Sequence, residues 1–283
     1  MAYRYWVRKK LECTNTEPLE DTTMKRHMAC AALVAIPLAL ASGCADALNG
    51  RDTTAAMMDR GIIYILPGIQ GVDYHYKNIR RGLRGSGIQC AIKIHPWGCQ
   101  IPGIKLAINE TDVRDDHAWG KKIAQEIQDY QRQYPGRPVY MIGQSGGCAI
   151  CVFAAESLAS AAAPPLEGLV LLDASLSADY DLQPALNHCR KGIVNFYNLR
   201  DVALLEVGTE IFGNLDGSHG DSAGRTGFEN AYAKLYQVQT TKEMVSPFAG
   251  PHFADTSAAF TARYIAPWII DQTWPAQTIG GRR

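Results

Sequence analysis

Short, continuously apolar segments alternate along the chain with longer segments whose apolar residues recur every three or four positions. The first kind predicts strands buried on both faces of a sheet, and the second predicts amphipathic helices. The predicted strands are Gly61–Leu66, Ile88–Ile94, Val139–Ile142, Leu169–Leu172, Ile193–Tyr197 and Lys234–Gln239. The predicted helices are a segment capped by Asp73 that ends at Arg84, Val113–Tyr134, Gly146–Leu158, the region Asp179–Cys189, and Thr256–Ile270. This alternation predicts one α/β domain over about residues 60–272, with a mostly parallel sheet between helices.

The amino-terminal segment has a different pattern. Residues 1–23 are polar and aperiodic, and we interpret them as a disordered or non-native extension, with Met24 as the alternative start. From Met24, a basic stretch precedes an apolar run that ends in small residues. This order is typical of a secretory signal peptide, here over residues 24–43. Residues 44–59 are predicted to be a linker, and residues 273–283 a carboxyl-terminal tail.

The end of this leader resembles the lipobox of bacterial lipoproteins, on the residues Leu40-Ala41-Ser42-Gly43-Cys44. The resemblance implies cleavage before Cys44 and lipidation of its sulfur. The protein would then be exported and anchored to a bacterial membrane; without the anchor it would be periplasmic or secreted. A short apolar helix within a cytosolic domain is the alternative interpretation.

Composition excludes two classes of protein. With 28 basic and 28 acidic residues and 47% hydrophobic residues, the chain has neither the low hydrophobicity nor the high net charge of a disordered protein. It also lacks the basic excess expected of a nucleic-acid binder, so we expect no nucleic-acid partner. The spacing of Cys148 and Cys151 is found in redox and zinc sites, but without a second such pair we predict buried helical cysteines.

The sequence Gly143-Gln144-Ser145-Gly146-Gly147 lies between a predicted buried strand and a predicted helix. A nucleophilic serine in this context sits in a strained turn, where side chains two residues before and after it have no room. Both of those positions are glycine. The pattern predicts Ser145 as a nucleophile, and a structural glycine turn is the alternative.

In this motif and its context the chain resembles the α/β-hydrolase family, over nearly all of residues 60–272. The family orders its catalytic residues as serine, then aspartate or glutamate, then histidine. The resemblance implies His252 as the general base, in the loop before the last helix, with His188 and His219 as alternatives. For the acid it favours Asp201 after the fifth strand, with Asp173 after the fourth strand as the runner-up.

The resemblance also implies an oxyanion hole made of two backbone N–H groups. One is expected from Gly146, the residue after the nucleophile. The other is expected from the turn after the first strand, with Ile69 as the donor by position and Gln70 as the alternative. No long helical cap appears between the fourth predicted strand and the following helix, so we expect little or no cap domain.

Together these expectations predict a serine hydrolase that cleaves the carboxylic ester of a small molecule or lipid through an acyl-enzyme. Peptidase, thioesterase and acyltransferase activities use the same residues and stay open. So does a non-catalytic binding protein of the same fold. A nucleotide-binding domain is disfavoured, because the turn after the first strand lacks the glycine spacing of phosphate-binding loops. No metal or organic cofactor is implied, and the sequence indicates no oligomeric state.

Overall fold

The computed structural model describes residues 48–98, 113–201, 214–218, 220–245 and 251–275. The predicted extension and signal peptide, the lipidation site Cys44 and the alternative base His219 lie outside these ranges. Within them, no helix is both long and apolar enough to cross a membrane.

Six strands form one sheet in which every neighbouring pair is parallel. They are β1 Ile62–Leu66, β2 Ala91–Ile94, β3 Val139–Gln144, β4 Leu166–Leu172, β5 Cys189–Tyr197 and β6 Leu235–Gln239. Their order across the sheet is β2-β1-β3-β4-β5-β6. Because all strands run in the same direction, their carboxyl ends meet at one edge, with β3 and β4 at the centre.

The helices lie between the strands and after the last one. They are α1 Ala55–Met58, α2 Tyr74–Gly85, α3 Val113–Gln133, α4 Gly146–Ser160, α5 Gln183–Asn187, α6 Ala223–Thr226, α7 Ala258–Phe260 and α8 Ala266–Ile270. A 3₁₀ helix, Pro251–Thr256, precedes α7, and a π-helical turn, Thr261–Ile265, connects α7 to α8.

Helices cover both faces of the sheet, as the alternating sequence predicts. On one face α3 packs against α4, and strand residues such as Ile62 and Tyr64 belong to the same buried cluster as these helices. On the other face α2 packs against α7, and the ring of Phe260 meets that of Phe196 from β5 edge-on, with 5.6 Å between centroids. The predicted α/β architecture is therefore confirmed.

Two of the predicted helices are wrong in extent. The region Asp179–Cys189 contains only the five residues of α5, and Cys189 already belongs to β5. In its first part the Gln183 N–H bonds to the Asp181 side chain instead of a helical carbonyl, and just before it the backbone of Ala178 bonds to Asp221 and Glu229. The final helix is also interrupted. Ser257 accepts a hydrogen bond from the Phe260 N–H and starts a new helix, and Pro267 has no N–H with which to continue a regular ladder.

The segment predicted as a linker contains a helix, α1, in its described part. Asn49, at the start of that part, is 5% exposed. Its amide donates to the Ile94 carbonyl (3.0 Å) and accepts from the Ile94 N–H (2.9 Å). This part of the segment is therefore hydrogen-bonded to the end of β2.

Candidate active site

Ser145 occupies a sharp turn between β3 and α4. Its backbone has φ 52° and ψ −124°, a conformation that a residue with a side chain rarely adopts. A Cβ on Gly147 would lie 2.2 Å from the Leu66 carbonyl oxygen, and one on Gly143 would lie 2.6 Å from the Cys148 Cα. Both contacts are shorter than van der Waals distance, so glycine is required on either side of the serine, as the motif predicts.

The structure brings His252 and Asp201 together at the carboxyl edge of the sheet. His252 Nδ1 lies 2.5 Å from Asp201 Oδ2, and the two residues are 5% and 0% exposed. Because a carboxylate can only accept at this contact, the hydrogen lies on Nδ1, so Nε2 is the ring nitrogen left to act as the base. These two predicted site residues are separated by 51 positions in sequence.

The histidine loop is tied to the serine turn through the residue before the serine. Gln144 Nε2 donates to the His252 carbonyl oxygen at 3.2 Å. The Ser145 hydroxyl itself has no hydrogen-bond partner among the described residues. Catalytic hydrogen bonds are often long or absent without substrate and tighten only when substrate binds.

Asp173, the runner-up acid, lies beside this pair but does not bond to the imidazole. It follows β4 with φ 48° and is 1% exposed. Neither carboxyl oxygen has a hydrogen-bond partner in the described part of the chain. Burial, together with the charges of Asp255 and Asp201, holds the pKa of Asp173 well above its ordinary value. The geometry therefore pairs the histidine with Asp201, and Asp173 is a buried carboxyl group whose surroundings favour its protonated form.

Asp255 is a third buried carboxyl group in this region, and sequence reasoning missed it. Burial raises its pKa to about 8, with the charge of Asp201 as the second cause. The one available signal was its position three residues after His252. One atom from each of Asp173, Asp201 and His252 lies within 4.8 Å of the others, so these residues could also ligate a cation.

The two predicted oxyanion donors belong to segments that touch. A Cβ on Gly146 would lie 2.9 Å from Ile69 Cγ2, and one on Gly68 would lie 3.2 Å from the Ser145 Cβ. Gly146 is the first residue of α4, where backbone N–H groups have no acceptor within the helix. The turn after β1 and the start of α4 therefore meet at the serine.

The remaining sequence candidates lie elsewhere or have another role. His188 ends α5, just before the amino end of β5, and so lies at the edge of the sheet opposite Ser145. Cys148 and Cys151 are fully buried in α4, and burial raises the pKa of both thiols, which confirms the prediction of apolar packing.

A parallel sheet, a serine at positive φ between a central strand and a helix, and the order serine, aspartate, histidine along the chain decide the architecture. The protein has the α/β-hydrolase fold. No protein-family model and no curated protein matches the sequence.

Solved structures of this fold are similar to the chain. The RedJ thioesterase of the prodiginine biosynthetic pathway in Streptomyces coelicolor is 11% identical, covers 63% of this chain and 76% of its own, and gives a TM-score of 0.36. Est1E from Butyrivibrio proteoclasticus, solved with ferulic acid bound, is 10% identical to this chain. The match covers 78% of this chain and 93% of Est1E, with a TM-score of 0.46. Such low identities leave the activity to be argued from the site.

Proposed function

We propose that the protein is a serine hydrolase that cleaves carboxylic esters through an acyl-enzyme. One observation carries the proposal: a buried imidazole is bonded at 2.5 Å to a buried carboxylate, and its loop is hydrogen-bonded to Gln144, the residue before a serine held at positive φ. Strained backbone conformations of this kind cluster at functional sites, so the turn favours a catalytic role for this buried serine. Fold alone does not establish activity, so the argument rests on these three residues.

In this mechanism Ser145 Oγ attacks the acyl carbonyl while His252 Nε2 accepts its proton. Asp201 fixes the ring and stabilises the imidazolium that forms. The carbonyl oxygen becomes an oxyanion, which the N–H groups of Gly146 and Ile69 bind in the proposal. His252 then returns the proton to the departing alcohol, and water repeats the sequence on the acyl-enzyme to release the acid.

Turnover of a chromogenic short-chain ester tests the proposal. Ser145→Ala should lower kcat by at least about 1,000-fold, because it removes the atom that forms the acyl-enzyme. Circular dichroism should show the same fold in both proteins. Turnover that survives the substitution would remove Ser145 from the mechanism.

The lack of a hydrogen bond from the Ser145 hydroxyl to any described residue favours one other candidate, a binding protein of the same fold without catalysis. That protein would bind esters without cleaving them and would turn over none of a series of acyl-chain lengths. The same series would separate a short-chain esterase from a lipase or thioesterase.

We also propose that the protein is exported and held at a bacterial membrane by a lipid on Cys44. The support is the order of basic, apolar and small residues before that cysteine. Mass spectrometry of the mature amino terminus tests it, since an unmodified chain that begins at Met1 would contradict the proposal.

A further inference from the structure

Two buried polar side chains connect three parts of the candidate site without belonging to the proposed triad. Tyr76 on α2 is 0% exposed, and Gln144 at the end of β3 is 1% exposed. Their hydrogen bonds reach the turn after β1, the serine turn and the histidine loop. A buried polar side chain is costly unless its bonding capacity is used, so these contacts indicate a defined role.

The Tyr76 phenol uses all of its bonding capacity. It accepts from the Gly68 N–H at 2.8 Å and from Gln70 Nε2 at 3.0 Å, and it donates to Gln144 Oε1 at 3.0 Å. A phenol has one hydrogen to donate and two lone pairs. No capacity remains for a further partner, so the ring holds both residues of the turn relative to β3.

The groups at the two ends of the network fix which atom donates and which accepts in each hydrogen bond. The His252 carbonyl can only accept, so Gln144 must present Nε2 to it and Oε1 to the phenol. The Tyr76 O–H must then donate to that oxygen, which leaves the lone pairs for the turn. A network with one consistent arrangement of protons holds its members in one geometry.

We propose that Tyr76 and Gln144 are positioning residues that keep the turn 67–71 and the His252 loop in register with Ser145. The inference rests on the proposed function, since this register places an oxyanion donor and the base around one reacting carbon. A displacement of about 1 Å in such a site can cost about 100-fold in rate. Neither side chain needs to touch the substrate.

Steady-state kinetics of Tyr76→Phe, Gln144→Met and the double variant test the proposal. We expect each single substitution to lower kcat by about 10- to 100-fold, with KM changed less than about three-fold. The double variant should be no slower than the worse single variant, because both substitutions break the same chain of bonds. Thermal unfolding checks that each variant folds.

Tyr130→Phe is the matched control. The Tyr130 phenol is also buried on a helix and donates at 2.7 Å to the carbonyl of Met58, beyond the amino end of β1. This substitution should lower the melting temperature to a similar extent and leave kcat unchanged. An equal loss of kcat in the control would mean that Tyr76 acts only through stability, and it would overturn the proposal.

Gln144→Glu is a further variant of Gln144. Its effect is measured as a pH dependence of kcat, which a change in stability alone would not produce. The ionised carboxylate still accepts from Tyr76 but cannot donate to the His252 carbonyl, whereas the protonated acid can do both. The ratio of variant to wild-type kcat should therefore rise as pH falls. A ratio that is flat with pH, or multiplicative losses in the double variant, would overturn the proposal. A wild type without esterase activity would overturn the proposed function and this inference together.

Discussion

At the scale of single residues, Asp173, Asp201 and Asp255 are neighbouring buried carboxyl groups, and of these Asp201 bonds to the His252 ring. Asp201 donates nothing and accepts the Nδ1–H at 2.5 Å, while Asp173 has no hydrogen-bond partner within the described residues. Asp201 and Asp173 look equivalent in sequence, but their hydrogen bonding differs in the folded protein. Burial and the neighbouring charges raise the pKa of Asp173, and Asp201 is the residue that bonds to the histidine.

This difference predicts that replacing Asp201 and replacing Asp173 have unequal effects on kcat. Asp201→Asn should lower kcat by about 10³- to 10⁴-fold, since an amide that donates to Nδ1 forces the wrong tautomer on His252. Asp173→Asn should lower it less than about ten-fold, because Asp173 makes no hydrogen bond to the imidazole. Steady-state kinetics of both variants would decide, and the opposite order of effects would make Asp173 the acid.

The sequence predicts Ser145, His252 and Asp201 because each follows a strand or precedes a helix in a recognisable pattern. Asp173 has the same kind of position as Asp201, and the choice between them depends on which carboxylate reaches the imidazole in three dimensions. Tyr76 and Gln144 carry no such signal. They are 68 positions apart and look like one residue of an amphipathic helix and the variable position of a motif.

At the scale of elements, the unit of β3, the turn and α4 holds the serine, and its packing leaves no space at the two outer glycines. Predicted strands agree with observed ones at the centre of the sheet, where apolar runs are buried on both faces. The prediction fails where tertiary contacts decide, as in the region Asp179–Cys189. There, the Gln183 N–H bonds to the Asp181 side chain, and the preceding residue Ala178 bonds to residues 43 and 51 positions away.

Gly147→Ala should disrupt this unit, because the added methyl group would lie 2.2 Å from the Leu66 carbonyl. We expect a loss of about 3 kcal/mol in the free energy of unfolding, measured with urea, together with loss of esterase activity. Gly85→Ala is the control, since nothing lies within 4 Å of a Cβ there. A stable and active Gly147→Ala protein would show that the turn is looser than described.

At the scale of the whole molecule, the buried carboxyl groups make folding depend on pH. The pKa of Asp255 is about 8 in the folded protein and about 4 when unfolded, so the folded state binds the extra proton between these values. The contribution of Asp255 to stability is therefore present at low pH and is lost as pH rises from about 4 to about 8.

Asp255→Asn should flatten this part of the stability profile and raise the free energy of unfolding at pH 8 relative to wild type. Urea unfolding at several pH values measures the effect. Asp179→Asn, at an exposed position, should leave the profile unchanged. A profile for Asp255→Asn that is parallel to wild type would mean that this carboxyl group is ionised when folded.

The account as a whole depends on an imidazole that makes the Ser145 hydroxyl reactive. Labelling with a fluorophosphonate measures this directly, because only an activated serine reacts at an appreciable rate. We predict one label per chain in the wild type, mapped to Ser145 by peptide mass spectrometry, and none in Ser145→Ala or His252→Ala. A folded wild-type protein that stays unlabelled, or a His252→Ala variant that labels at the wild-type rate, would contradict the account.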